Sequence, residues 1–169
     1  TNGGACVAGA AIDAYENNDT VDSATALGTV TDEDSASKGS LLGTIDRAED
    51  WDFFKLSVTD ENFANLDPLI RLTGLAQDKD LDLIACYVCH NGLPDSIIAG
   101  SLDPEGSVIE VDMGITNSLC LASINYWGQD EELDLNPKCN GTDDSGTIYM
   151  IVLPIVDDDC GSNYTLSWH

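Results

Sequence analysis

The chain has 169 residues, 43% of them hydrophobic, and carries 31 acidic residues against 6 Lys and Arg, for a formal net charge of −25. A chain of this length and composition forms one domain with a substantial hydrophobic core. Its negative surface repels nucleic acid and anionic membranes, and no stretch is long and apolar enough to span a bilayer. Nucleic-acid binding and membrane insertion are therefore excluded, and cations in saline or calcium-rich surroundings screen the charge.

The chain begins at Thr1, without Met, as expected of a processed chain or of part of a longer one. Residues 1–12 form an N-terminal extension of small residues, and residues 13–169 form the domain. We expect the extension to dock on its own domain or on a neighbouring copy, for example by strand addition to an open sheet edge. Within the domain, Ser23–Leu27 predicts one helical turn, and Thr31–Ser40 is a charged loop.

Short strands separated by turn residues make up most of the remaining sequence. Phe54, Leu56 and Val58 alternate with more polar positions, which is the period of a strand with one buried face. Strands are predicted at Ser40–Ile45, Asp52–Val58, Leu69–Thr73, Leu81–Val88, Ile97–Leu102, Val108–Met113, Leu119–Trp127, Thr147–Leu153 and Tyr164–Trp168. Gln129–Gly146 is predicted to be a long polar loop. This pattern predicts an all-β antiparallel sandwich of about eight or nine strands. The predicted core residues are Phe54, Leu56, Val58, Leu72, Leu83, Ile109, Ile151 and Leu166.

An acidic turn separates the first two of these strands. Asp46, Glu49, Asp50 and Asp52 lie within seven positions of one another. So many carboxylates repel one another unless water, salt or a bound cation offsets their charge. Oxygen ligands of this kind suit a hard cation, and calcium fits best.

The ordered set of short motifs resembles a known family. The motifs are Tyr15-Glu16-Asn17-Asn18-Asp19, Ala26-Leu27-Gly28, Gly43-Thr44-Ile45, Asp50-Trp51-Asp52-Phe53-Phe54, Leu72-Thr73-Gly74-Leu75, Asp80-Leu81-Asp82-Leu83, Asn91-Gly92, Ile148-Tyr149-Met150-Ile151-Val152 and Tyr164-Thr165-Leu166-Ser167. Together they resemble the bacterial pre-peptidase C-terminal domain and are similar to the collagen-binding domains of secreted clostridial collagenases. The resemblance covers about residues 13–168, interrupted by an insertion at about 115–145. It implies a jelly-roll-like β-sandwich that serves secreted proteins as a non-catalytic accessory module.

The resemblance also implies the residues of a calcium site. The matching positions are Glu16, Asn18, Asp19, Thr44, Glu49 and Asp52, with Asp50 as a substitute for Glu49. Two positions depart from the family pattern: Asn17 stands where Pro is usual, and Ala14 stands where stronger calcium binders have an acid. One bound calcium ion is therefore expected rather than two.

The six cysteines are Cys6, Cys86, Cys89, Cys120, Cys139 and Cys160. An even number in an acidic, turn-rich chain favours disulfides and an oxidising, extracellular compartment. The sequence does not determine the pairing, and we expect Cys120 to bond Cys139 and so close the insertion on itself.

One cysteine motif supports a different interpretation. Cys86-Tyr87-Val88-Cys89-His90 matches the Cys-x-x-Cys-His pattern of covalent haem c attachment, with His169 as a second axial ligand. Under that alternative the protein is a mono-haem electron carrier. The simpler interpretation makes Cys86 and Cys89 disulfide partners and places His90 at the start of a turn.

Enzymatic motifs are weak. Asp144-Ser145-Gly146 resembles an aspartic-protease turn but occurs once and lacks a partner, and the chain contains only 2 histidines. Neither a metalloprotease helix motif nor a nucleophile elbow is present. The sequence therefore predicts a non-catalytic, calcium-binding extracellular module that mediates protein contacts, including self-assembly into a homo-oligomer. The first alternative is an accessory domain of a secreted peptidase, and the second is the haem protein.

Overall fold

The computed structural model describes residues 12–31, 38–47, 49–60, 68–99, 109–110, 113–123, 128–140, 142–155 and 160–169. The predicted N-terminal extension, apart from Ile12, lies outside these residues, as do Cys6 and most of the predicted charged loop. The described side chains exclude those of residues 96–99 and 109–110. No helix in the described ranges is long and apolar enough to cross a membrane.

The described residues form eleven strands and one short 3-10 turn, with no α-helix. The turn is Val21–Ser23. The strands are β1 Thr25–Thr31, β2 Gly39–Ile45, β3 Asp52–Thr59, β4 Leu69–Thr73, β5 Leu81–Cys89, β6 Pro94–Ala99, β7 Ile109–Glu110, β8 Ser118–Ser123, β9 Glu131–Cys139, β10 Gly146–Pro154 and β11 Ser162–Trp168.

The strands form two sheets, which confirms the predicted β-sandwich. One sheet has the strand order β1-β3-β10-β5-β8-β7, and the other has the order β2-β11-β4-β9-β6. All pairings are antiparallel except that of β1 with β3. The consecutive strands β2 and β3 therefore lie in different sheets, and the acidic turn between them crosses from one layer to the other.

The main core lies between the two sheets, where the inward faces of their strands meet. The predicted core residues Phe54, Leu56, Val58, Leu72, Leu83 and Leu166 are all buried in it. Ile151 is also fully buried, but it belongs to a second apolar cluster, with Phe53 and Ile84, on the other face of its sheet. The side chain of Ile109 lies outside the described residues. Because β5 contributes to both clusters, it reads as a nearly continuous apolar run rather than an alternating one.

Two local predictions were wrong. The predicted helical turn Ser23–Leu27 is instead the end of the 3-10 turn followed by β1, since the β-branched residues of Thr25–Thr31 favour a strand. The predicted polar loop Gln129–Gly146 contains β9, whose alternate residues are buried. The residues between the buried ones are polar and lie on the outer face. Pro137 is also unusual within a strand. The high average polarity of the segment therefore concealed its alternation of buried and exposed residues.

The region assigned to an insertion contributes to both sheets. Between Ile115 and Ser145, β8 pairs with β5 and β9 pairs with β4. The predicted Cys120–Cys139 disulfide is wrong, because each of these cysteines has a different partner. Cys86 bonds Cys120, its direct cross-strand partner, and Cys89 bonds Cys139. The first disulfide links two strands of one sheet, and the second joins the two sheets.

We expect Leu72→Ala to lower the free energy of unfolding by about 2–5 kcal/mol, since Leu72 is fully buried and the truncation leaves a cavity. Leu93→Ala is the matched control, because Leu93 is 60% exposed, and it is expected to change stability by less than about 0.5 kcal/mol. Urea denaturation measures both. Equal losses for the two variants would contradict the placement of these side chains.

Candidate metal centre

Three segments meet at one end of the sandwich. They are the loop that precedes the 3-10 turn, the acidic turn between β2 and β3, and the first residue of β3. The loop is fixed to β3 by its backbone, because the Phe53 N–H donates to the Asn18 carbonyl at 2.9 Å. The Asn18 side-chain amide donates to the Phe53 carbonyl at 3.4 Å. Asn18 is fully buried, and Glu16, two residues earlier, lies close to Asp46 and Asp50 of the acidic turn.

The acidic turn closes on one of its own carboxylates. The Asp50 N–H donates to the Arg47 carbonyl at 3.2 Å, and the Asp46 N–H donates to Asp50 Oδ2 at 2.6 Å. The second bond satisfies Oδ2 of Asp50, whereas Oδ1 accepts no hydrogen bond from the described residues. Asp50 itself is fully buried.

Asp52 is held from the opposite sheet. The Tyr164 hydroxyl, on β11, donates to Asp52 Oδ2 at 2.5 Å, and both residues are buried. Tyr164 reaches this position by lying across β2 at Gly43, where a Cβ atom would meet the tyrosine ring at 2.2 Å. Gly43 is therefore required by the close approach of the ring rather than by backbone conformation.

The three segments bring several carboxylates into one small volume. Glu16, Asp46 and Asp50 each have an oxygen within 4.8 Å of the others. Five buried side-chain oxygens of this region accept no hydrogen bond from the described residues; they are Glu16 Oε1 and Oε2, Asn18 Oδ1, Asp50 Oδ1 and Asp52 Oδ1. Leaving a buried polar atom without a partner costs about 1–3 kcal/mol, and more when it is charged. A cation bound among these acceptors would offset that cost.

The donor atoms fit a hard cation. All are carboxylate or amide oxygens, with no thiolate or imidazole, which favours calcium over zinc or copper. Glu16, Asp46 and Asp50 would hold the ion, with Asn18 and Asp52 supplying further oxygens from the buried side of the cluster. An ion there would link the loop, the turn and β3.

Arg47 offsets part of the negative charge. Its guanidinium contacts Asp19 at 2.5 Å and Asp46 at 2.8 Å, and lies 3.6 Å from Asp50 Oδ1, too far for a hydrogen bond. The Arg47 side chain is 46% exposed, so these contacts are screened by water. One partly solvated cation does not neutralise the surrounding acids.

The pKa values of the buried acids reflect this crowding. Burial, together with the charges of Asp52, Glu16 and Asp46, raises the pKa of Asp50 to about 8, against the opposing hydrogen bond from the Asp46 N–H. Burial also raises the pKa of Asp52 to about 7, although the hydrogen bonds from Tyr164 and Asn18 act in the other direction. The pKa of Glu16 is raised by burial and by the charge of Asp19. Without a cation, these groups retain protons at a pH where surface acids are ionised.

The predicted metal ligands divide into two groups. Glu16, Asn18, Asp50 and Asp52 lie at the cluster, with unsatisfied oxygens. The other three point elsewhere: Asp19 pairs with Arg47, the Thr44 hydroxyl donates to Asn163 Oδ1, and Glu49 is exposed. Asp50 thus takes the place in the cluster that was first assigned to Glu49.

Sequence reasoning missed three contributors. Asp46 was recognised as part of the acidic turn but not as a candidate ligand. Its position four residues before Asp50 could have identified it, because a tight turn brings residues at that spacing close together. Asp13 accepts from the backbone N–H of Tyr15 at 2.8 Å and of Thr44 at 2.9 Å, and it fixes the loop against β2. Tyr164 carries no local signal of this role, because it is 112 residues from Asp52.

The structure leaves no free thiol at either cysteine of the haem alternative. Cys86 and Cys89 are both in disulfides, so neither sulfur is available for a thioether bond in this structure. His90 and His169 are exposed. The backbone of His169 pairs with Leu69 through two hydrogen bonds, of 2.8 and 3.1 Å.

No protein-family model matches the chain. A comparison with curated proteins finds no significant match either. The resemblance to the pre-peptidase C-terminal domain therefore rests on the motifs described above.

A second set of acids is buried away from the candidate metal centre. Asp80, Asp82 and Glu131 are all buried. Burial, followed by the charges of Glu131 and Asp80, raises the pKa of Asp82 to about 7. Only the first cluster, among the described residues, brings three ligand atoms within 4.8 Å, so the second set is sensitive to pH but is not assigned a metal.

We expect Asp82 to make stability depend on pH. In the unfolded chain its pKa is about 3.9, so the folded state holds the proton more tightly. The contribution of the protonated Asp82 to stability is complete below about pH 4 and is lost as pH rises through about 7. The loss is a few kcal/mol at most, since one pKa unit corresponds to about 1.4 kcal/mol. Asp82→Asn removes this loss. With chelator present throughout, the variant should gain stability over the unmodified protein between pH 5 and 8.5, whereas parallel urea-denaturation curves would contradict the assignment.

We expect Asp50→Asn to abolish calcium binding, measured by isothermal titration calorimetry. The amide oxygen still accepts from the Asp46 N–H, so the turn is kept while a ligand charge is lost. Glu49→Gln is the matched control. It removes the same charge from the adjacent residue, whose side chain is exposed, and it should leave calcium binding intact. At a calcium concentration 100 times Kd, binding should raise the free energy of unfolding of the unmodified protein by about 2.7 kcal/mol, which corresponds to about 5–10 °C in melting temperature. A melting temperature unaffected by chelation would contradict a calcium site.

Proposed function

We propose that this protein is a non-catalytic, calcium-binding extracellular module that mediates protein contacts, including contacts with copies of itself. The observation that carries the proposal is the group of five buried side-chain oxygens without hydrogen bonds, located where three carboxylates approach within 4.8 Å. A catalytic carboxylate pair needs access to a substrate, whereas these oxygens are enclosed. An enclosed set of oxygen ligands suits a structural cation.

The position of the cluster supports a structural role for the ion. The loop that contains Glu16 has no regular structure of its own and is attached to the sandwich through Asn18 and Asp13. A calcium ion would add bonds from this loop to the acidic turn and would stabilise the folded state by mass action. Extracellular calcium modules have Kd values of about 10⁻⁴–10⁻³ M, which match the calcium concentration outside cells.

The disulfides support the extracellular assignment. Cys86–Cys120 and Cys89–Cys139 are formed between strands, and disulfides persist in oxidising compartments. The net charge of −25 suits the same surroundings, where salt and divalent cations screen repulsion between molecules.

The Asp144-Ser145-Gly146 motif has a structural use, which supports a non-catalytic role. Asp144 Oδ1 accepts from the Cys139 N–H at 2.7 Å, and Oδ2 accepts from Lys138 Nζ at 3.4 Å. The Asp144 carbonyl accepts from the Tyr87 hydroxyl, and its N–H donates to Asp60 Oδ2 at 3.1 Å. The aspartate therefore holds the β9–β10 turn with both its side chain and its backbone.

We expect the purified protein to form oligomers in millimolar calcium and to dissociate on chelation, as measured by light scattering. Sodium chloride at matched ionic strength is the control for general screening, and Asp50→Asn is the control for the site itself. If calcium acts through the cluster, the variant in calcium stays smaller than the unmodified protein. A strict monomer in every condition would contradict self-assembly and leave the role of a peptidase accessory domain.

A further inference from the structure

Arg47 approaches the candidate metal centre from the side that faces solvent. Its guanidinium contacts Asp19 at 2.5 Å and Asp46 at 2.8 Å, and its Nη2 lies 3.6 Å from Asp50 Oδ1. The side chains of these three acids are 32%, 11% and 0% exposed, so they lie progressively deeper in the protein. The guanidinium therefore sits at the outer side of the cluster, in contact with one of its three carboxylates and close to a second.

The oxygens near this guanidinium are the ones that a calcium ion would use. Asp46 and Asp50 each contribute an oxygen to the group within 4.8 Å, and Asp50 Oδ1 accepts no hydrogen bond from the described residues. Calcium binds oxygen ligands at about 2.3–2.6 Å, so an ion on Asp50 Oδ1 would lie at most about 6 Å from Arg47 Nη2. Because arginine is always protonated in proteins, the two cations would repel each other.

The guanidinium acts on the whole cluster rather than on one partner. Burial lowers the pKa of Arg47, but the charges of four acids outweigh burial and leave that pKa raised; the acids are Asp50, Asp19, Asp46 and Glu16. Burial and the charge of Asp19 raise the pKa of Glu16, and the charge of Arg47 opposes them. All three carboxylates of the group therefore interact electrostatically with this one side chain.

We propose that Arg47 is a tethered counter-cation that competes with calcium for the carboxylates of the cluster and thereby weakens calcium binding. This proposal rests on the proposed calcium site and names the residue that sets its affinity. The guanidinium offsets part of the repulsion among the acids, which stabilises the cluster before calcium binds. The same charge opposes a divalent ion once it is bound. Both effects lower the free energy that calcium binding releases.

The Arg47 side chain can move away from the cluster without opening the turn. The Arg47 carbonyl accepts from the Asp50 N–H at 3.2 Å, so the backbone rather than the guanidinium closes the turn. The side chain is 46% exposed and already reaches Asp19, which is not one of the three clustered carboxylates. A shift of the guanidinium from Asp46 and Asp50 toward Asp19 and solvent would therefore make room for calcium.

Weakened binding suits the proposed extracellular role. A unit charge about 6 Å from a divalent ion weakens its binding about tenfold, even at the dielectric constant of water. Extracellular calcium modules have Kd values of about 10⁻⁴–10⁻³ M. A tighter site would stay saturated when the calcium concentration falls, whereas the charge of Arg47 keeps the affinity in the range where calcium can bind and dissociate.

Calcium titration calorimetry of three variants tests the competition. The titrations are run at pH 9, above the pKa of about 8 of Asp50, so that protons compete little with calcium. Arg47→Gln removes the charge, and its Kd should be about tenfold lower than that of the unmodified protein. Arg47→Lys keeps the charge without the planar fork, so its Kd should stay within about threefold of the original.

Arg71→Gln is the matched control for the loss of one positive charge. Arg71 is 43% exposed and pairs with Glu132 on the neighbouring strand β9, so its exposure resembles that of Arg47. Its removal changes the net charge by the same amount and should leave the Kd for calcium unchanged. An equal tightening of calcium binding in this variant would overturn the proposal, because the effect would then be one of overall charge.

Melting temperatures provide a second readout that a purely structural role would not reproduce. In chelator, Arg47→Gln should melt below the unmodified protein, because the acids lose a counter-charge. The rise in melting temperature on adding millimolar calcium should be larger for this variant than for the unmodified protein. If Arg47 only braced the turn, its loss would lower the melting temperature in chelator and weaken calcium binding as well.

The outcomes separate this proposal from the proposed function. An unchanged or higher Kd for Arg47→Gln overturns the competition while the calcium site stands. Equal tightening in Arg47→Lys and Arg47→Gln also overturns it, because charge would not be the cause. Calcium binding by Arg47→Gln but not by the unmodified protein supports the competition and contradicts the proposed function. If none of the proteins binds calcium, the calcium site and the competition fail together.

Discussion

Repulsion among buried carboxylates at the turn between β2 and β3 is the constraint on which the surrounding structure depends. Glu16, Asp46 and Asp50 cannot separate, because backbone bonds hold the loop to β3 and close the turn onto Asp50. Asp50 is fully buried and Glu16 partly buried, so little water screens these two charges, and burial raises the pKa of both carboxyl groups. Arg47, which lies partly in solvent, supplies a portion of the required positive charge. We therefore expect the stability of this end of the sandwich to depend on the ions around it.

The same end joins elements that are distant in sequence. Tyr164 on β11 holds Asp52 on β3 across the interface between the sheets, and Gly43 on β2 leaves space for the tyrosine ring. A cation bound beside Asp52 would therefore reinforce a contact between the two layers as well as the attachment of the loop. At the far end of the sandwich, Asp144 closes the β9–β10 turn through hydrogen bonds.

The charge distribution connects the cluster to assembly. A protein with 31 acids repels its own copies, so contact requires either screening or a surface without charge. Asp46 and Asp50, which follow β2, belong to the candidate metal centre. The proposed cation would therefore lower the repulsion between copies at this end of the molecule.

Local periodicity was sufficient to predict most of the strands and the sandwich. The alternation along β3 predicted the burial of Phe54, Leu56 and Val58, because a strand's period depends only on neighbouring residues. The ligand positions implied by the family resemblance include Glu16, Asn18 and Asp52, which the structure brings to one group of unsatisfied oxygens, whereas the binding of a cation there stays a prediction.

Tertiary structure decided what depends on which strands become neighbours. In the sequence, β9 appeared to be a loop because every second residue is polar. Those residues lie on the solvent-exposed side of a sheet, which only the tertiary structure reveals. Cys120 bonds Cys86 because the pairing of β8 with β5 makes the two residues direct cross-strand partners, and Cys139 bonds Cys89 across the sheets. The contact of Tyr164 with Asp52 arises in the same way. Sequence period reports which face of a strand is buried, whereas the pairing of strands is set by packing between residues that are far apart in the chain.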